Sequence, residues 1–456
     1  MAVHRGWVET FQDDQLIVAL SDLGTVTHAL AGLEIHPGRI RKSAALGLAL
    51  VSKLPDAEVK AAVDRLTHDP VIGQELNRFR DEREQAHPRT LATLDLLIKG
   101  IRLQFAQRFP GWEVTIGKNY GPSLVMGHPH VGGGGDGDPR PTAEAVRPPH
   151  VGGGGEAEPR PTGAGPGQPV FGRHQPRQRG HGVRVGLLDT RIFPSKSLTG
   201  HYIAAPDDVL DPNKRSFTMF DGHCAFVASC ILQRAPAAEL HVRHVLNSQG
   251  IGWAWDVAVS IAEMAQSGLD VVNLSLGEFL TDDDSAPMVL ETAVRHFSQD
   301  TVVVAAAGNN GDARELTREL VHEGVKPDSA SYPAALPDVV GVGALDQDGK
   351  RAAFTPSPAP WIALLAPGVG LTGAFVDGDV TIQHKNRDGH VTSSETVHFD
   401  GTATWEGCSF AAGIVSGELA ARTVPGHRSA RQALDELLRP EPGQARGDII
   451  PNTQDW

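Results

Sequence analysis

Val183-Arg-Val-Gly-Leu-Leu-Asp189 is a short apolar run that closes on a carboxylate. The same kind of run returns at Val271–Leu276, Thr301–Ala307, Asp338–Leu345 and Ile362–Leu365. Between and after these runs lie helix-patterned segments: Ala225–Leu232, Ile251–Gln266, Met288–Phe297, Gly407–Ala421 and Ala430–Leu438. Apolar runs without alternation suit strands buried on both faces. Runs that alternate with amphipathic helices predict a mostly parallel sheet between helices. The fold class over residues 182–445 is therefore α/β. Thr381–Phe399 departs from this pattern: it is polar, partly alternating and carries Asp388-Gly389, so it reads as an inserted hairpin.

In open parallel sheets, ligands gather at the carboxyl ends of the strands. Asp189 ends the first strand, and Asn309 follows the run Val302-Val-Val-Ala-Ala-Ala-Gly308. His223 stands after Asp221-Gly222 at the start of an apolar helix, where the glycine permits close backbone approach. Ser409 opens a helix rich in small residues, Gly407-Cys-Ser-Phe-Ala-Ala-Gly-Ile-Val-Ser-Gly. Each has an ordinary reading by itself: Asp189 as a turn residue, His223 as a surface histidine, Ser409 as an N-cap, Asn309 as a turn. Together, in one order, they supply a carboxylate, an imidazole, an oxyanion donor and a hydroxyl. Those are the parts needed for acyl transfer by an activated serine.

With these segments in view, residues 182–440 resemble the subtilisin-like serine peptidases, the subtilases. The matching stretches are Val185-Gly-Leu-Leu-Asp189-Thr-Arg-Ile192, Gly222-His223-Cys-Ala-Phe-Val-Ala228, Gly407-Cys-Ser409-Phe-Ala, Asn309, Val272-Asn-Leu-Ser-Leu-Gly277, Tyr332-Pro333, Val340-Gly-Val-Gly-Ala344 and Ala366-Pro-Gly368. The order Asp, His, Ser is that of the family. The chain departs from the family pattern at Cys224, Ala225, Phe226, Cys408 and Gly413, none of which makes or breaks bonds. The resemblance implies peptide-bond hydrolysis through an acyl-enzyme on Ser409. His223 would be general base and acid, Asp189 would orient it, and Asn309 would join the oxyanion hole. Ser275, Leu276 and Gly277 would pair with substrate as an added strand, and Ala307 and Gly308 would line the primary pocket, with Ser331 near its base. Such walls suit a large apolar or aromatic P1 side chain, and Glu278 at the rim would favour a basic one. The resemblance also brings structural calcium, although no segment has a calcium-loop spacing; no other cofactor is expected. Two rival readings are a non-catalytic binding module on the same fold and an esterase or transferase using the same chemistry.

The chain has 456 residues, 40% of them apolar, which is long for a single core. A net charge of −14 argues against a nucleic-acid partner. Three cysteines build no disulfide framework. Cys224 and Cys408 flank His223 and Ser409, so redox sensitivity is one expectation and small buried fillers the other. The start of the chain has no signal-peptide pattern, and the run Leu16–Leu20 is too short to span a bilayer. These features lead to an expected cytoplasmic location without a membrane partner.

Residues 1–112 read as an all-α domain that regulates the peptidase or binds a partner protein. Leu91, Leu94, Ile98, Ile101 and Phe105 share one helical face, Asp56 opens a helix, and Arg80–Gln85 reads as a solvated face. Residues 113–181 read as a disordered linker. Pro129–Thr142 recurs as Pro149–Thr162, glycine- and proline-rich with nothing to bury, and His128, His130 and His150 have no fixed geometry there for a metal. Residues 446–456 form a tail.

Overall fold

The computed structural model describes residues 11–86, 93–120, 123–124, 160–161, 179–279, 288–313, 316, 321, 325–385, 391–439 and 449–451. Its centre is an eight-stranded sheet. In spatial order the strands are Ile450–Pro451, Ile362–Pro367, Val339–Leu345, Val302–Ala306, Val271–Leu274, Arg184–Asp189, Glu239–His244 and Tyr202–Ala204. All neighbours run parallel except Ile450–Pro451. The expected buried runs are these strands: Val271–Leu274, Val302–Ala306 and Val339–Leu345 are buried at every position.

One face is covered by the helices His223–Arg234, Cys408–Arg422 and Ala430–Leu437, the other by Ala254–Met264 and Met288–Val294. Small residues set how closely the first two helices approach. A Cβ on Gly417 would lie 2.4 Å from the backbone oxygen of Ile231, and one on Gly413 would lie 3.1 Å from Cys230 Cβ. The expected hairpin is present and longer than its polar stretch suggested. Leu371–Lys385 pairs antiparallel with Val391–Trp405, and Asp388-Gly389 falls outside the described residues. The root of this hairpin leads directly into the Ser409 helix.

The N-terminal region is not all-α. Alongside the helices Leu23–Gly32, Asp56–His68, Ile72–Ala86 and Thr93–Arg108 it contains an antiparallel sheet, ordered Arg39–Ser43, Leu48–Ser52, Phe11–Ala19 and Ile116–Tyr120. The last strand lies beyond residue 112, within the stretch read as linker. The sheet's central strands were hidden because they are buried on both faces. Leu16, Val18, Ala49 and Val51 face its own helices, while Ile17, Leu48 and Leu50 pack into the core around the helix Ala254–Met264. Alternation of apolar and polar residues, the usual mark of a strand, is thereby erased. The helical part of the reading holds: Leu94, Ile98, Ile101 and Phe105 are all buried in Thr93–Arg108.

Polar contacts fix the same interface. Asn119 Oδ1 accepts the Trp255 amide at 3.0 Å, capping the first turn of Ala254–Met264. Arg41 lies 5.9 Å from the Trp255 ring centroid and 3.4 Å from Asp256.

Two short strands come from the stretch read as linker. Ser123–Leu124 pairs antiparallel with Gly277–Leu276, and Arg160–Pro161 pairs antiparallel with Thr404–Ala403. The rest of the repeat, with His128, His130 and His150, lies outside the described residues. No helix among the described residues is long and apolar enough to cross a membrane.

Candidate active site

Asp189 ends the strand Arg184–Asp189 inside the sheet, fully buried. A buried carboxylate needs donors. The Thr190 amide donates to Oδ1 at 2.6 Å, the Thr190 hydroxyl lies 3.2 Å from Oδ1 and closer, 3.0 Å, to the Phe220 carbonyl oxygen, and His223 Nδ1 lies 2.8 Å and 3.0 Å from the two carboxylate oxygens. That contact puts a proton on Nδ1 and leaves Nε2 as the basic nitrogen of the neutral ring.

His223 begins the helix His223–Arg234, as its position after Gly222 predicted. Gly222 is required there, since a Cβ would sit 2.1 Å from the Phe375 ring. Asp221 stays out of the site: it accepts from the Thr218 amide (2.8 Å) and pairs with Lys214 (2.6 Å). Trp405 meets the imidazole edge-on with centroids 5.7 Å apart, and Phe410, in the first turn of the Ser409 helix, lies 5.5 Å away. Phe226 packs on Phe410 (4.4 Å) and Trp405 (5.6 Å). Phe226, one of the departures from the family pattern, is thus part of an aromatic wall behind the imidazole.

Ser409 lies in the first turn of Cys408–Arg422, fully buried. Its Oγ makes no hydrogen bond among the described residues. His223 and Ser409 are therefore brought to the same aromatic cluster without a closed hydroxyl–imidazole bond, a contact that often tightens only when substrate is bound. Asn309 Oδ1 accepts the Cys408 amide at 3.0 Å, which seats that side chain against the start of the serine helix. Gly308 makes the turn possible with φ of 109°.

The expected substrate-contacting residues divide. Leu276 and Gly277 lie on the strand Leu276–Phe279 and carry the added pair Ser123–Leu124. Ser275 turns inward: its hydroxyl bonds to Asn273 Oδ1 (2.9 Å) and lies 3.0 Å from the Ser409 carbonyl oxygen. Asn273 donates in turn to Ser416 Oγ at 3.0 Å. Ala307 is fully buried against Leu345, Ile362 and Leu365. Thr190, Asn273 and Ser416 were missed in the sequence, although a polar residue inside the apolar run Val271–Leu274 was a usable signal. Burial pushes the Cys224 thiol well up, with the charges of Asp189 and Asp208 adding to it, and burial raises Cys230 as well. Among the described residues no group of three or more His, Cys, Asp or Glu side chains could hold a metal ion.

The chain is similar to known subtilisins. Subtilisin DY of Bacillus licheniformis is 30% identical over 210 residues, covering 44% of this chain and 70% of the relative. Subtilisin Savinase of Lederbergia lenta is 31% identical over 216 residues, with the same two coverages. Among solved structures, fervidolysin from Fervidobacterium pennivorans, a keratinolytic enzyme related to subtilisin, shares the fold. Its TM-score is 0.51 at 16% identity, covering 91% of this chain and 55% of that one. The family model described as Subtilase family matches residues 180–427, more than half of the sequence, and the chain belongs to that family of subtilisin-like serine proteases.

Proposed function

We propose that the protein is an endopeptidase that cleaves protein or peptide substrates through an acyl-enzyme on Ser409. His223 Nε2 takes the Ser409 proton as the hydroxyl oxygen attacks the scissile carbonyl, then returns that proton to the leaving amine. Water, deprotonated by the same nitrogen, releases the acyl group. Asp189 holds the ring's tautomer and offsets the charge of the imidazolium. Asn309, anchored through Oδ1 on the Cys408 amide, offers Nδ2 to the oxyanion beside the Ser409 amide. The observation that carries this reading is the buried Asp189–His223 pair, 2.8 Å apart, with its imidazole against the first turn of the Ser409 helix.

The N-terminal unit is read as a regulator of this site. Supporting that reading, Ser123–Leu124 occupies the strand Leu276–Gly277, and Asp189, His223, Asn309 and Ser409 are all 0% exposed. In this state the cleft carries a strand of its own chain, and a substrate has to displace it. A tethered inhibitor benefits from high effective concentration, so weak pairing is enough.

A fluorophosphonate probe tests the chemistry. Proline at Leu124 removes an amide from the added strand and opens the cleft. In that background Ser409 should be labelled, Ser409→Ala should abolish labelling, and His223→Ala should reduce it steeply. Labelling that persists in Ser409→Ala refutes the assignment. Mass spectrometry of a digested, denatured proteome then separates peptidase from esterase.

A further inference from the structure

The strand Val271–Leu274 is buried at every position, yet it carries an asparagine. A buried amide is tolerated where its donors and acceptors are met. Val272 and Leu274 face the core around Ala254–Met264, whereas Asn273 points the other way, to the helix Cys408–Arg422. Its Nδ2 donates to Ser416 Oγ at 3.0 Å, and its Oδ1 accepts from Ser275 Oγ at 2.9 Å. Ser275 Oγ also lies 3.0 Å from the Ser409 carbonyl oxygen. Turning the amide over would keep both links, with Ser416 donating to Oδ1 and Ser275 to the Ser409 carbonyl. Asn273, Ser275, Ser409 and Ser416 are all 0% exposed.

On its other side the serine helix is held by smooth faces. Gly413 and Gly417 lie against Val227, Cys230 and Ile231 of the helix His223–Arg234. Bare glycine sets how closely two helices approach, but it raises no ridge to lock into a groove, so it resists sliding and rotation poorly. The two polar links supply that resistance. Ser409 and Ser416 stand seven residues apart, two turns and about 10 Å along the axis, on nearly one side of the helix. A single link leaves a pivot; two links fix both the rotation of the helix and its slide along the sheet.

Resting on the peptidase reading above, we infer that Ser416 is a positioning residue for Ser409, held by Asn273 and joined through that amide to Ser275. It touches no substrate. It sets where the start of the helix lies, and with it the Ser409 hydroxyl and the amide proposed for the oxyanion. Displacing a reacting group by about 1 Å costs on the order of 10²-fold in rate. Ser275 directly precedes Leu276–Gly277, so the same links tie the proposed nucleophile to the proposed substrate strand.

Full-length protein carrying Leu124→Pro is the parent for the test. Ser416→Ala should lower kcat on a peptide substrate by roughly tenfold or more, with KM within about twofold. The rate of fluorophosphonate labelling at Ser409 should fall by the same factor. Thr301→Val is the control. It removes another buried hydroxyl bond, 2.8 Å to the Leu269 carbonyl, and should lower the urea midpoint without lowering kcat. Asn273→Leu combined with Ser416→Ala replaces both polar partners by apolar groups. Its urea midpoint should recover towards that of the parent, since neither partner is left unpaired, while kcat stays low. Recovery of kcat together with the midpoint makes Ser416 structural only and overturns the inference. If the double variant does not fold, Ser416→Ala with parental kcat and labelling rate overturns it equally. A labelled parent with an unaffected Ser416→Ala sinks only the positioning role, and an unlabelled parent sinks the peptidase reading beneath it.

Discussion

Gly222→Ala is expected to damage both stability and catalysis, because of one contact. The new methyl carbon would lie 2.1, 2.2 and 2.7 Å from Phe375 Cε2, Cδ2 and Cζ. Comfortable carbon–carbon separations are about 3.5–4.0 Å, so the methyl and the ring have to part by about 1.5 Å. Phe375 has no room to yield. It is fully buried, 4.6 Å from the Phe399 centroid and 5.5 Å from Trp405. The backbone of Gly222, at φ −96° and ψ −9°, is one that alanine also adopts, so the penalty is steric rather than conformational. At a permissive site this substitution stabilises by about 0.4–1 kcal/mol. Here overpacking should cost about 1–3 kcal/mol. The strain falls on the residue before His223, where a shift of about 1 Å costs on the order of 10²-fold in rate.

Urea unfolding in a Ser409→Ala background, which avoids self-digestion, measures the first effect, and kcat/KM of the Gly222→Ala enzyme measures the second. Phe375→Leu should relieve part of the loss, with a coupling of about 1 kcal/mol in a double-mutant cycle. Gly24→Ala, with open space around its Cβ, should be neutral or stabilising. A Gly222→Ala protein as stable as its parent, with no coupling to Phe375, would refute the reasoning.

Asn309→Ala should lower kcat by about 10²–10³ with little change in KM, the scale for one oxyanion donor in a buried site; a loss below threefold removes it from the mechanism. Iodoacetamide should leave native Cys224 and Cys408 unmodified and kcat/KM unchanged, since both are fully buried and the Cys224 thiol is held protonated; rapid alkylation with loss of activity would restore the redox reading. Proline at Ser123 or Leu124 should raise the peptidase activity of the full chain, and equal activity with and without it would end the self-occupancy proposal.

The α/β core was legible because its strands are buried on both faces by helices close in sequence, so apolar runs and helix patterns alternate without interruption. Asp189, His223, Asn309 and Ser409 were legible because each stands at a strand end or helix start in a distinctive local context. The N-terminal sheet was not. Ile17, Leu48 and Leu50 are apolar because of a helix more than two hundred residues away, and no local window contains that helix. The same limit hid Ser416, whose partner Asn273 lies 143 residues away.

Asp189 and His223 come from the first part of the α/β segment, whereas Ser409, the proposed nucleophile, arrives near its end, on a helix that docks through bare glycine faces. Chain closure over such distances is slow relative to local structure formation. A nascent or partly folded chain can hold its Asp189–His223 pair and still have no serine to activate. On the proposed mechanism, hydrolysis then waits until the far helix is seated, a safeguard that follows from topology before any strand needs to occupy the cleft.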